Sequence, residues 1–226
     1  MKEIVRKEIK YIIPIEKFAH LRKKLELLME KDTYGIEGKY TVRTQYFDSV
    51  RDDDLFDNLD GVMEKRKIRI RTYSLDSSTA KLEYKCKSNT DVRKLSLLIS
   101  REEAIGMENG QYEFLLKREE DLARFLFAKM SKNGYLPKTI VEYERMAYKY
   151  SVSDLRITFD TSIKGTVNPY GLFHRRSALI PLLNHDIGIL EIKYNNFIAS
   201  PFTKIIQEID QVVEASSKYS ISRLLI

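Results

Sequence analysis

The chain has 226 residues, 43% hydrophobic and 32% charged, with a formal charge of +6 at pH 7. This is enough apolar material for one large domain or two small ones, and the basic surplus suits nucleic acid, anionic lipid or phosphorylated small molecules. A single cysteine, Cys86, excludes an internal disulfide framework and a multi-cysteine zinc site.

No apolar run approaches the roughly 18 residues of a membrane span, and the first residues open into charged sequence. A cytoplasmic location without a membrane span of its own is therefore expected. No repeat, low-complexity stretch or Pro/Gly-rich linker divides the chain, so residues 1–226 are expected to form one domain.

Taken in order, residues 3–13 read as a strand ending at Pro14. A helix over 15–30 follows, with Phe18, Leu21, Leu25 and Leu28 as its apolar stripe. Residues 40–48 read as a strand, and the acidic run Asp52-Asp53-Asp54 begins a loop or short helix. Residues 63–73 and 79–87 form a hairpin around Leu75-Asp76-Ser77-Ser78. Ser100-Arg101-Glu102-Glu103 is a capping box opening a short helix. A longer helix over 118–132 stops at Asn133-Gly134. Strands follow at 139–149 and 154–163, then a loop at 168–171, a strand at 187–194, a helix over 201–213 and a short terminal segment.

Strands joined by hairpins with helices inserted singly indicate an α+β fold built on an antiparallel sheet. The strands share an unusual pattern, with charged residues on alternate positions. These are Arg6, Glu8 and Lys10; Lys67, Arg69 and Arg71; Lys81, Glu83, Lys85 and Lys87; Arg156 with Asp160; and Glu191 with Lys193. Tyr143 shares a face with Arg145. The intervening positions are core-like: Ile9 and Tyr11; Ile68 and Ile70; Leu82, Tyr84 and Cys86; Leu155, Ile157 and Phe159; Leu190 and Ile192. A period of two fits either a sheet with one face in water or a barrel with its charges inside and helices over its apolar outside. Periodicity alone does not choose between them.

The chemistry these residues suit is phosphate handling. Arginine offers a planar fork to phosphate oxygens and lysine a point charge. Arg69 and Arg71 lie two residue rises apart on one face, with Lys85 and Lys87 expected to face them from the partner strand. Glu191 beside Lys193 pairs a metal-binding carboxylate with a phosphate ligand, and Mg²⁺ and Mn²⁺ favour such oxygen donors. For each pair the alternative is a cross-strand salt bridge on a solvated face.

Other motifs are weak. No Gly-rich phosphate loop is present. His20, His174 and His185 lack metal-ligand spacing, and Cys86 falls on an apolar strand face as a core filler. Phe173-His174-Arg175-Arg176 is a basic loop that suits either an anion or solvent. Most strand aromatics alternate with the charges and point to the core, which disfavours a nucleic-acid partner.

In order along the chain, the segments Arg6-Lys-Glu-Ile-Lys-Tyr11, Tyr46-Phe-Asp48, Lys67-Ile-Arg-Ile-Arg71, Leu82-Glu-Tyr-Lys85, Tyr143-Glu-Arg145, Leu155-Arg-Ile-Thr-Phe-Asp160, Leu190-Glu-Ile-Lys193 and Ser217-Lys-Tyr219 together resemble the VTC (vacuolar transporter chaperone) domain. That domain is the polyphosphate polymerase branch of the CYTH-like triphosphate tunnel metalloenzymes. The resemblance implies an antiparallel β-barrel whose basic interior holds phosphates, ATP and inorganic polyphosphate as ligands, ADP as product, and Mn²⁺ or Mg²⁺ as cofactor. Carried over by motif, Arg69, Arg71, Lys85 and Glu191 would be catalytic, with Glu191 as metal ligand. Lys10, Arg145, Arg156, Lys193 and Lys218 would bind substrate, and Glu8, Glu83 and Asp160 would orient these cations or take part in metal hydration.

Hydrolytic tunnel enzymes typically begin Glu-x-Glu-x-Lys, whereas this chain has Arg6-x-Glu8-x-Lys10, which favours the polymerase branch. Members of the VTC type in eukaryotes carry a phosphate-sensing domain and membrane helices. Neither is found here, so a membrane protein is the candidate receiver of product. A tunnel-type triphosphatase acting on nucleoside, inorganic or thiamine triphosphate is the alternative, and a non-catalytic polyphosphate or nucleotide sensor is the third.

Overall fold

The computed structural model describes residues 4–35, 38–88, 91–166, 168–209 and 217–226. Its strands are β1 (Ile4–Pro14), β2 (Glu30–Lys31), β3 (Lys39–Asp48), β4 (Glu64–Thr72), β5 (Thr79–Ser88), β6 (Asp91–Ser100), β7 (Leu136–Tyr150), β8 (Leu155–Thr166), β9 (Ile180–Pro181) and β10 (Ile187–Tyr194). The helices are α1 (Ile15–Leu28), α2 (Asp53–Leu59), α3 (Arg101–Glu108), α4 (Asp121–Asn133), α5 (Ser200–Gln207) and α6 (Lys218–Leu225). No helix among the described residues is long and apolar enough to cross a membrane.

The strands form one sheet in the order β2-β7-β3-β4-β5-β6-β1-β10-β8-β9, and a further β7–β8 pairing closes it into a ring. Closure decides between the two arrangements that the alternating pattern allowed. The charged rows turn inward, and the apolar rows turn outward under helices.

On one side Ile68, Ile70, Leu82, Leu95, Leu97 and Ile99 meet Ala104 and Met107 of α3 and Leu122, Leu126 and Met130 of α4. On the other side Tyr11, Ile157, Phe159, Leu190 and Ile192 meet Phe18, Leu21 and Leu25 of α1 and Phe202 and Ile205 of α5. The barrel's core thus lies outside it, and burial of roughly 1.5–3 kcal/mol for each large side chain holds the helices on.

Local signals place several boundaries. The Ser100 hydroxyl accepts from Glu103 N–H, and the Glu103 carboxylate accepts from Ser100 N–H, completing the expected capping box. Helix α4 ends at Gly134, whose φ of +59° is left-handed and whose Cβ, if present, would lie 2.9 Å from Val50.

Other expectations need correction. Strand β6 is absent from the sequence reading because Arg93-Lys94 and Leu97-Leu98 interrupt its alternation. Helix α4 begins at Asp121, since residues 113–117 form a 3-10 turn. Leu28 is exposed and Met29 takes its place in the core. Cys86 is only half-buried, beyond the apolar cluster that Leu82 joins. The helix expected over 201–213 is observed as α5, and residues 210–213 lie outside the described residues. The terminal segment forms α6, with the Ser217 side chain capping it by accepting from Ser220 N–H.

Candidate active site: a cationic tunnel

Strand alternation delivers the inward row from every wall of the barrel. An inner cavity is lined by Lys10, Lys67, Arg69, Arg71, Lys85, Tyr143, Arg145, Glu191, Lys193 and Lys218. It continues into an outer cavity of about 270 Å³, which shares Arg69, Arg71, Lys85, Arg145 and Lys193 and adds Arg6, Tyr40, Tyr73, Lys94 and Arg156. All the candidate residues, Lys10, Arg69, Arg71, Lys85, Arg145, Arg156, Glu191, Lys193 and Lys218, therefore meet in one tunnel.

Its acids are few and heavily shared. Glu83, fully buried on β5, accepts from Arg69 Nε at 2.8 Å and from Lys94 Nζ at 3.1 Å, with Arg71 at 3.6 Å. Burial alone would raise its pKa, but Arg71, Arg69 and Lys94 outweigh burial and hold it well below the usual carboxylate range. Glu8 bridges Lys85 at 3.0 Å and Lys10 at 3.1 Å. Burial and Glu191 push Glu8 up, yet Lys85, Lys10 and Lys193 bring it to about 2.

Asp160 takes both prongs of the Arg145 fork, at 2.6 and 2.7 Å, and Lys218 at 2.5 Å. Glu191 accepts from Lys193 at 2.8 Å and has Arg145 at 3.5 Å. It too is ionised despite burial, held down by Lys193, Lys10, Arg145 and Lys85. Glu8, Glu83 and Asp160 thus orient the cations. Arg156 sits nearer the surface, bound to Asp32 at 2.7 Å and to the Tyr40 hydroxyl at 3.4 Å.

The hairpin register differs from expectation. Glu83 stands opposite Arg69, and Lys81 opposite Arg71, while Lys85 faces Lys67 and Lys87 faces Lys65. Three like-charged pairs, Arg71–Lys81, Lys67–Lys85 and Lys65–Lys87, therefore stand directly across the ladder, an arrangement that ordinarily destabilises a sheet. Lys67 donates to Asn58 Oδ1 at 2.6 Å, and its pKa falls well below the ordinary value through burial and then the charges of Lys10, Lys85 and Arg69. Burial likewise lowers Lys85 to about 8, against the pull of Glu8.

Several lining residues were missed in the sequence. Lys67 was visible in the alternating row but not singled out, and Lys94 lay in the unrecognised β6. Tyr46 and Tyr143 lie beneath cations, with Arg69 6.0 Å from the Tyr46 ring and Lys218 4.7 Å from that of Tyr143. Helix α6 brings Lys218 to the tunnel, because Tyr219 stacks on Tyr46 and donates to buried Asp48 at 2.5 Å.

Among the described residues no group of three or more His, Cys, Asp or Glu could hold a metal. Ionised Glu191, with Glu8 close enough to repel it, suits a hard cation that completes its shell with phosphate oxygens and water. His20, His174 and His185 are all exposed. The basic loop Phe173–Arg176 lies outside the barrel, bordering a separate cleft of about 790 Å³ where Arg175 pairs with Asp76 at 2.5 Å. That cleft is larger than the tunnel cavities but contains none of the candidate residues.

Among solved structures, the chain is similar to a putative adenylate cyclase from Bacillus halodurans, with a TM-score of 0.57, 15% identity and 94% of each chain covered. It is also similar to a putative adenylyl cyclase from Hippeastrum described as having a dominant triphosphatase activity, with a TM-score of 0.52, 14% identity, and 99% and 96% of the two chains covered. At this identity the likeness is one of fold. No curated protein matches the chain. The profile of the VTC domain matches residues 5–226. With nearly the whole chain matched and the expected barrel in place, the protein belongs to the VTC domain family.

Proposed function

We propose that this protein is a metal-dependent polyphosphate polymerase, which transfers the γ-phosphate of ATP to a growing inorganic polyphosphate chain and releases ADP. The observation that carries this reading is the row of cations along β4 and β5. Beyond Arg71 and Arg69 it runs on through the facing pairs Lys67–Lys85 and Lys65–Lys87, giving the wall a length suited to a chain.

In this reading a terminal oxygen of the chain attacks the γ-phosphorus of ATP. A new P–O bond forms, the bond to the β,γ-bridging oxygen breaks, and ADP leaves with its electron pair. The nucleophile is already anionic, so no general base is required. Arg69, Arg71, Lys85 and Arg145 neutralise repulsion between the two anions and hold them in line. Lys10, Lys193 and Lys218 bind flanking phosphates, and Arg156 guards the outer cavity. Glu191, with Glu8 beside it, would hold the divalent cation (Mn²⁺ or Mg²⁺), which supplies positive charge to the transferring group.

The second reading is a triphosphatase, favoured by the fold shared with the Hippeastrum protein. Arg6 weighs against it, because it stands on the tunnel lining two residues before Glu8, where a hydrolase would use another carboxylate to activate water. Purified protein with ATP and Mn²⁺ tests the choice. ADP with a polymer ladder supports the polymerase, whereas free phosphate without polymer moves the protein to the hydrolases.

A further inference from the structure

The rim of the outer cavity carries aromatic rings among its cations. At the outer cavity, tyrosines succeed one another edge to face. Tyr34, in the turn after β2, lies 6.3 Å from Tyr40 on β3, which lies 6.0 Å from Tyr73 at the end of β4. Tyr40 and Tyr73 line the cavity, and Tyr73 follows Arg71 by two residues.

Tyr34 and Tyr73 are not core fillers, being 72% and 47% exposed, while Tyr40 between them is partly buried against the core. They are nonetheless held. Arg156 reaches the Tyr40 hydroxyl while gripping Asp32, and the Lys81 ammonium sits 5.5 Å from the Tyr73 ring centre. At the other end of β4 the facing residues are Lys65 and Lys87, with Asn58 capping Lys65 and Lys67.

Resting on the reading of the tunnel as a phosphate site, we infer that the tyrosine mouth is a nucleobase platform. A ring system stacks on Tyr73, with Tyr40 and Tyr34 as the adjoining wall, while its phosphates run inward past Arg71 to Arg69. Stacking on an aromatic face accepts any base, because every base has a π face. The donor is therefore a nucleoside triphosphate that enters at this mouth, and inorganic triphosphate lacks the group this mouth recognises.

The test is calorimetric binding of ATP and of inorganic tripolyphosphate in metal-free buffer, using wild type, Tyr73→Ala, Tyr34→Ala and Tyr73→Phe. Tyr73→Ala is expected to weaken ATP about tenfold and leave tripolyphosphate unchanged, the latter also reporting an intact tunnel. Tyr34→Ala gives a smaller loss for ATP alone, and Tyr73→Phe retains both affinities. Equal losses for the two ligands, or no change for either, overturn the platform and leave the phosphate tunnel standing. Failure of wild type to bind either ligand overturns the tunnel reading and the platform with it.

Discussion

Lys67 and Lys85 face each other across β4 and β5 with burial depressing the pKa of both, so one wall of the tunnel holds like charges at close quarters. An anion between them reverses that penalty and restores their protons. Phosphate binding near pH 8, around the value of Lys85, should therefore take up roughly half a proton at Lys85, to which any uptake by Lys67 adds. Calorimetry of tripolyphosphate binding in buffers of different ionisation enthalpy measures this directly. Proton release, or none exchanged, would refute the placement of phosphate between these lysines.

Arg69→Ala leaves Glu83 with Arg71 and Lys94, so the fold should survive with only a small change in melting temperature. Turnover should fall about a hundredfold or more, because a charge-stabilising donor is lost where charge develops. Unaltered turnover would remove Arg69 from the reaction.

Glu83→Gln acts in the opposite sense. Arg69, Arg71 and Lys94 lose their shared counter-ion, which should cost roughly 3–5 kcal/mol. Tripolyphosphate should restore much of that loss by replacing the missing charge. Thermal unfolding with and without the anion checks it, and an equal shift in both proteins would count against a common binding role for these cations.

Asp54 provides a pH dependence away from the tunnel. Burial, then the charge of Asp48, raises it from 3.8 to about 6, although Lys129 and the Tyr135 hydroxyl pull the other way. A carboxyl with a raised folded pKa binds its proton more tightly folded than unfolded. Its contribution is full below about pH 4 and is lost as pH rises through about 6, for a total near 3 kcal/mol. Asp54→Asn keeps an acceptor for Tyr135 and should stabilise the protein at pH 7 by about 1–2 kcal/mol, with no gain at pH 4. Urea unfolding at the two pH values decides, and a gain of equal size at both would exclude ionisation as the cause.

Lys65 and Lys87 lie beyond the residues assigned to transfer. Replacing both with Ala should shorten the product chains more than it slows ADP release, as seen on a denaturing gel beside a nucleotide assay. Product of unchanged length would argue against Lys65 and Lys87 as part of the polymer's path.

Much of this arrangement was legible in the sequence because period-two alternation is a strong local signal. The rows through Arg69, Lys85, Arg145 and Glu191 could be read from spacing and assigned to one charged surface. Whether that surface faced inward could not be read, since closure depends on β7 pairing with β8, and both arrangements use the same alternation. The register of the β4–β5 hairpin was also hidden. Its connection of Tyr73 to Ser78 sets Glu83, rather than a lysine, opposite Arg69. Lys218 gave no local clue, because it reaches the tunnel through the docking of Tyr219 on Tyr46 and Asp48. The motif resemblance found it where periodicity could not.

The sharing of acids within the tunnel bears on how a long anion travels. Glu8 serves both Lys85 and Lys10, Glu83 serves Arg69 and Lys94, and Asp160 serves Arg145 and Lys218. Each of these six cations thus has a resident counter-ion to fall back on when a phosphate moves away, whereas Lys67 has the neutral Asn58 amide. On the polymerase reading, letting go of the polymer at these positions would strand no bare buried charge, and the wall would exchange partners step by step like a ratchet without teeth. Such a surface would grip a chain along its length while opposing its sliding only weakly.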